Sequence, residues 1–154
     1  MSGKLEVSFN SPQCGWMSIG FSDGRSEFHT TTAHAPHAAA LPELMTILGN
    51  MLGADSGKSE HRLKWNRDPE EFDLCFVRDG EKLDLEIYQY PDERRQADEC
   101  ELVFSHSGTV HGVCKAFAAT FDQLHADQET DEFEFNWHQP FPDAEYRKFK
   151  KRID

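Results

Sequence analysis

The chain has 154 residues, and its 28 Asp and Glu outnumber its 16 Lys and Arg, which gives a formal net charge of −12 at pH 7. A field of that sign repels nucleic-acid phosphates and anionic lipid, and it attracts basic partners. We therefore expect neither nucleic acid nor membrane among the partners. The length is typical of one domain, so residues 1–154 are expected to form a single globular unit.

The amino-terminal segment lacks the apolar core of a secretory signal, and no stretch approaches the ~18 apolar residues of a membrane span. These features predict a cytoplasmic protein. In a reducing cytosol the four cysteines are expected to be free thiols, each most simply a small buried hydrophobe. They are Cys14, Cys75, Cys100 and Cys114. Because their spacing matches no zinc ribbon or finger, and no phosphate-loop or dinucleotide motif is present, we expect no cofactor.

Three strands are predicted before the first helix. Leu5, Val7 and Phe9 alternate with polar residues, which is typical of a half-buried strand. A second strand is predicted over 16–21 and a third, from its β-branched composition, over 28–32. The dipeptide Asp23-Gly24 lies between them and is a hairpin signal.

A helix is predicted next, followed by a return to strands. Apolar residues recur at helical spacing from Leu41 to Leu52, and Gly53 follows the last of them. Period-2 alternation then predicts strands over 62–65, 72–77, 83–88 and 101–105. The second and third of these flank Asp79-Gly80, the clearest hairpin signal in the chain.

The strongest helix prediction lies after these strands, where apolar residues from Val110 to Leu124 form one helical stripe. A short final helix is predicted to begin near Pro142-Asp143, with acids first and bases last, as the helix dipole prefers. Before it, Trp137 and Phe141 lie in a proline-containing corner. This corner is expected to lock the final helix in place, or else to present an exposed aromatic anchor.

This order of elements predicts an α+β protein in two layers, with a mainly antiparallel sheet of about six to seven strands and two to three helices packed on one face. The layout resembles small bacterial α+β proteins of uncharacterised function, including toxin-immunity proteins that neutralise a basic effector. The resemblance is one of layout, because no diagnostic motif matches residue by residue. It implies a binder of a basic protein.

Three histidines lie within nine residues, at His29, His34 and His37. Imidazole is a common ligand for zinc and similar metals, so the three could converge on one ion. The spacings of five and three match no known zinc pattern, and a solvated His-rich loop is the simpler interpretation. The metal site stays as the alternative.

Hydrolytic chemistry has one other candidate position. Ser105, His106 and Ser107 directly precede the second helix, and a hydroxyl, an imidazole and a helix start together suit nucleophilic catalysis. Ser107 is also a residue type suited to capping that helix. No nucleophile-elbow or phosphate-loop motif accompanies the group, so the sequence leaves enzymatic activity uncertain and favours the capping role.

The leading functional hypothesis is a protein-interaction module that binds a basic partner. One face of the predicted hairpin carries acids and tyrosines, a composition suited to Arg-rich surfaces. The expected contact residues are Asp73, Asp84, Glu86, Tyr88 and Tyr90. The alternatives are a small-ligand or hydrolase site that uses the histidines or the Ser105–Ser107 segment, a homodimer paired through a sheet edge, and plain solubility as the reason for the charge.

Overall fold

A computed structural model describes residues 3–53 and 57–154. Within them the chain forms seven strands, four α-helices and a short 3-10 turn at Ala97–Glu99. The strands are β1 (Glu6–Phe9), β2 (Trp16–Ser22), β3 (Glu27–Ala33), β4 (Lys58–Asn66), β5 (Glu71–Asp79), β6 (Lys82–Tyr90) and β7 (Glu101–Thr109). The helices are α1 (Ala40–Gly53), α2 (Val110–Asp127), α3 (Phe133–Trp137) and α4 (Asp143–Ile153).

The strands form two antiparallel sheets. The first has the order β1-β2-β3 and the second the order β4-β5-β6-β7, so every strand pairs with its neighbour in sequence. Both predicted hairpins are confirmed, at Asp23-Gly24 and at Asp79-Gly80. Gly80 has φ +65°, a conformation that a tight hairpin turn demands and that glycine adopts without a steric penalty.

The α+β class and the antiparallel pairing are confirmed, but the prediction of one continuous sheet is wrong. A tight turn places two strands side by side so that they can pair, whereas a helical connection allows the next strand to join another sheet. The link from β3 to β4 contains α1, and these two strands share no ladder. The single layer of helices on one face is not confirmed either, because α2 contacts β1 of the first sheet as well as β6 and β7 of the second.

The predicted helices are confirmed at nearly the predicted positions. α1 buries the stripe that contains Leu41, Leu44 and Leu48. The cap of α2 differs from the prediction, because Thr109, and not Ser107, accepts a hydrogen bond from the backbone N–H of Gly112 at 2.9 Å. The strand β7 continues to Thr109, so Ser107 still lies in the sheet and cannot reach the first turn of α2.

One hydrophobic cluster includes side chains from both sheets and all four helices. Phe117 of α2 lies near its centre, with ring centroids 6.2 Å from Phe9, 6.1 Å from Phe21 and 5.9 Å from Phe76. Trp137 and Phe141 are buried, and Phe141 packs edge-on against Tyr146 of α4. The corner before α4 therefore locks that helix in place, as expected.

Candidate functional site

The polar face of the four-stranded sheet holds all five of the predicted contact residues. Alternation along a strand sends every second side chain to the same face. The β5–β6 register places Asp73 opposite Tyr88, Cys75 opposite Glu86, and Val77 opposite Asp84. The sequence pattern therefore predicted the shared face correctly. The structure divides that face into two parts that differ in charge balance.

Asp73 lies in the part that is already neutralised. Its side chain is only 1% exposed, and it forms ion pairs with Arg62 at 3.1 Å and Arg95 at 2.5 Å. A buried carboxylate that is already paired with two guanidinium groups is not available to bind a partner protein. The expectation of Asp73 as an exposed contact residue is wrong, because alternation identifies the face of a strand but not what covers it.

Glu71 completes this neutralised part. It accepts hydrogen bonds from Arg95 at 2.7 Å and from Asn66 at 3.2 Å, and His37 lies 3.4 Å away. Burial opposes ionisation of Glu71, but these hydrogen bonds outweigh it and hold the pKa below its ordinary value. The guanidinium of Arg95 also lies 5.1 Å from the ring of Tyr90, which is buried. Tyr90 is therefore covered and is not an exposed contact residue.

Asp84 and Glu86 form the other part of the polar sheet face, where the negative charge is not fully neutralised by neighbouring cations. Asp84 accepts a hydrogen bond from Ser107 at 2.5 Å, and its closest cation is Lys82, an exposed side chain 3.9 Å away. Glu86 has no ion-pair partner within the described ranges of the chain. Both side chains are half-buried, so they are partly shielded from water without being neutralised.

These two acids line a cleft of about 470 Å³, which we call the acidic cleft. Its walls come from the β2–β3 turn, β6 and β7. They consist of Asp23, Arg25, Ser26, Asp84, Glu86, Ser105, His106 and Ser107. Two partly exposed carboxylates and three hydroxyl groups accompany one exposed guanidinium, that of Arg25, while the third carboxylate, that of Asp23, is buried. The lining therefore offers mostly hydrogen-bond acceptors and negative charge to whatever enters.

Tyr88 lies beside the acidic cleft. Burial raises the pKa of its phenol, and the charge of Glu86 raises it further. The hydroxyl therefore stays protonated and can donate at neutral pH. The face of the ring lies 6.0 Å from the guanidinium of Arg62, so Tyr88 separates the neutralised part from the acidic cleft.

The lining of the acidic cleft contains a buried pair that sequence reasoning missed. His106 Nδ1 lies 2.9 Å from Asp23 Oδ2, and both side chains are nearly inaccessible to solvent. The other oxygen of Asp23 accepts the backbone N–H groups of Arg25 and Ser26. Burial disfavours the carboxylate, but the bonds from His106 and the backbone outweigh it and lower the pKa of Asp23. No local signal links positions 83 residues apart.

The serine–histidine segment does not form a catalytic turn. Ser105, His106 and Ser107 belong to β7, where the two serine side chains are exposed and the imidazole is buried against the core. Alternation places the hydroxyls on the opposite face from His106, where Ser107 donates to Asp84, and His106 Nδ1 is paired with Asp23. Asp23 and His106 instead join the first sheet to the second.

The three histidines of the candidate metal site do not converge. His29 lies 3.6 Å from Glu27, His34 packs against His138 with ring centroids 4.6 Å apart, and His37 lies beside Glu71. Over residues 3–53 and 57–154, no three His, Cys, Asp or Glu side chains are arranged to hold a metal ion. The metal prediction is wrong because β3 and the loop after it direct the three rings to different neighbours.

The four cysteines are free thiols, but they do not share one environment. Cys75 and Cys114 are buried, and burial raises the pKa of Cys114 to about 12, which leaves it without thiolate character at neutral pH. Cys100 is partly buried. Cys14 is exposed, so the expectation of a buried hydrophobe is wrong there, because it lies in the tight turn before β2.

None of the helices in the described part of the chain has both the length and the apolar character needed to cross a membrane. No protein-family model matches this sequence, and comparisons with curated proteins and with solved structures find no significant similarity. The geometry of the acidic cleft and of the surface around it therefore provides the evidence for a function.

Proposed function

We propose that this protein is an interaction module that binds a basic protein partner through the acidic cleft. The observation that carries the proposal is the contrast between the two halves of one sheet face. Glu71 and Asp73 are neutralised internally, whereas Asp84 and Glu86 keep unbalanced charge at a recessed position. An arginine or lysine side chain that entered there would be attracted by both carboxylates.

The neighbouring groups support an incoming guanidinium in particular. The exposed hydroxyl of Ser105 can accept further N–H groups, and the ring of Tyr88 lies next to Glu86 along β6. Arginine has five donors in a planar fork and suits such a set better than an ammonium group. An inhibitor of the immunity type, which covers a basic effector, is the narrower form of this proposal.

The first experiment is a pull-down from native lysate with the tagged protein, washed at rising salt. We expect a stoichiometric basic partner that is released between about 0.1 and 1 M salt, as the Debye length falls from about 10 to 3 Å. The double variant D84N/E86Q should lose the partner at lower salt. R25Q should retain it to higher salt, because the cleft then loses its one competing guanidinium.

The matched control is E43Q/D98N, which removes the same charge from two exposed acids outside the acidic cleft. Equal weakening by the control and by D84N/E86Q would show that only the net charge matters, and would reject the cleft as the binding site. A lane without a stoichiometric partner would reject the proposal for the growth conditions tested.

A further inference from the structure

A second surface, at another corner of the molecule, carries aromatic side chains that the fold leaves exposed. Phe135 of α3 is 75% exposed and Trp16 of β2 is 38% exposed. Leu102 is the other large apolar side chain exposed in the described residues, and it lies on β7. We call the region where the chain segments of Trp16 and Phe135 meet, which also contains His138, the aromatic corner. Contiguous exposed apolar patches mark interaction sites, and Trp is enriched among the residues that dominate binding energy.

The aromatic corner is held in place by hydrogen bonds between three chain segments. The backbone N–H of Gly15 donates to the carbonyl of Asn136 at 2.6 Å, and the N–H of His34 donates to the carbonyl of Gly15 at 3.1 Å. Trp16 and Phe135 are therefore each one residue away from a backbone hydrogen bond that joins the turn before β2 to α3. A surface fixed in this way loses little conformational entropy when a partner binds.

Gly15 makes this close approach possible. It has φ +84°, and a Cβ atom at this position would lie 2.9 Å from Cδ2 of His34. Only glycine satisfies both the left-handed backbone and the contact with the imidazole. The ring of His34 in turn packs against His138 and the buried Trp137. The exposed side chains of the corner thus rest on a rigid base.

The charged residues in the segments of the aromatic corner are acidic, which favours a basic partner. Glu129, Glu132 and Glu134 are exposed acids within six residues of Phe135, and none has an ion-pair partner in the described chain. Lys and Arg are absent from residues 5–24, 26–57 and 116–146, which include every segment that builds the corner. The segments that build the aromatic corner therefore contain exposed, unpaired acids and no Lys or Arg.

We infer that the aromatic corner binds an arginine-bearing segment of a protein partner. A guanidinium group stacks on Trp and Phe rings while its N–H groups pair with carboxylates, and an ammonium group does this less well. The inference does not depend on the acidic cleft. Trp16 and the Asp23 turn lie at opposite ends of β2, about 20 Å apart along the strand.

Trp16 supplies a direct signal for the test, because Trp65 and Trp137 are buried. The purified protein is titrated with a nona-arginine peptide at about 0.15 M salt, and tryptophan emission is followed. We expect a saturable change in emission for the native protein and none for W16F. F135A should bind about two- to fivefold more weakly, as the loss of one exposed cation–π contact implies. Nona-lysine should bind more weakly than nona-arginine.

Two control variants make the result specific. L102A removes an exposed apolar side chain elsewhere and should leave the titration unchanged. E43Q/D98N removes two exposed acids outside both surfaces and should also leave it unchanged. The emission of Trp16 reports on the aromatic corner and the pull-down reports on the acidic cleft, so failure of this inference is distinguishable from failure of the proposed function. Circular dichroism checks that F135A, a change at an exposed position, is folded.

Three outcomes would overturn the inference. The first is F135A binding nona-arginine as tightly as the native protein. The second is equal binding of nona-lysine and nona-arginine, which would show that charge alone acts. The third is a dimer in sedimentation experiments that F135A dissociates, which would assign the aromatic corner to a second copy of this chain.

Discussion

Single side chains on one sheet face differ in what they can do, although their sequence pattern is the same. Asp73 and Glu86 both alternate with apolar residues in strands, and both were expected to face a partner. The difference arises from Arg95, which reaches from the loop after β6 and pairs with Asp73 and Glu71. A neighbour 22 residues away thus neutralises one carboxylate, while the other keeps its charge.

Replacement of Arg95 tests this account of the neutralised part. Arg95→Met leaves two nearly buried carboxylates without their shared cation, so we expect the free energy of unfolding to fall by about 3 kcal/mol, the lower end of the cost for a buried pair. Urea denaturation measures the change. Arg94→Met is the matched control, since Arg94 pairs with Asp92 at the surface and should have little effect. Equal midpoints for R95M and the native protein would contradict the prediction.

At the scale of elements, the position of the boundary between β7 and α2 determines whether Ser107 or Thr109 caps the helix. The sequence pattern predicted that the strand ends at Ser105 and that the residues after it form a turn with a catalytic or capping role. The ladder to β6 continues to Thr109, which pairs with Lys82. The helix begins at Val110, and the cap falls two residues later than predicted.

Thr109→Ala should lower the free energy of unfolding by about 1 kcal/mol, because an N-cap side chain that satisfies a helix amide contributes that much. Thermal or urea unfolding provides the measurement. Thr109→Ser keeps the hydroxyl and should retain most of the stability. Ser107→Ala should have little effect on helix stability, and a larger loss for S107A than for T109A would show that the cap has been misassigned.

For the whole molecule, the cluster around Phe117 determines whether the two sheets behave as one unit. Their backbones share no ladder, so the connection between them depends on side chains. Aromatic contacts from Phe117 reach the first sheet at Phe9 and the second at Phe76. The buried Asp23–His106 pair adds a polar link between the same two sheets.

This arrangement predicts a single cooperative transition for residues 1–154. Far-UV circular dichroism and tryptophan fluorescence should give coincident urea curves, because the tryptophans lie in both sheets and in α3. Phe117→Ala should shift both curves together, with a loss of about 3–5 kcal/mol. Separate midpoints for the two probes would mean that the sheets unfold independently, and would contradict the single domain predicted from the length.

The sequence alone was sufficient for the strands, three of the helices, both Asp-Gly hairpins and the set of residues on the polar face of β5 and β6. All of these depend on periodicity and turn chemistry, which act between residues close in the chain. The short helix α3 and the exposed Phe135 were not predicted, because five residues are too few to show a helical period.

Only the tertiary structure decided four features of the protein. They are the division of seven strands into two sheets, the neutralisation of Asp73, the separation of the three histidines and the pairing of Asp23 with His106. Each depends on contacts between segments whose spacing along the chain carries no periodic signal. Burial and ion pairing are properties of the packed molecule. The acids that no internal cation neutralises, Asp84 and Glu86, could therefore be identified only from the tertiary structure.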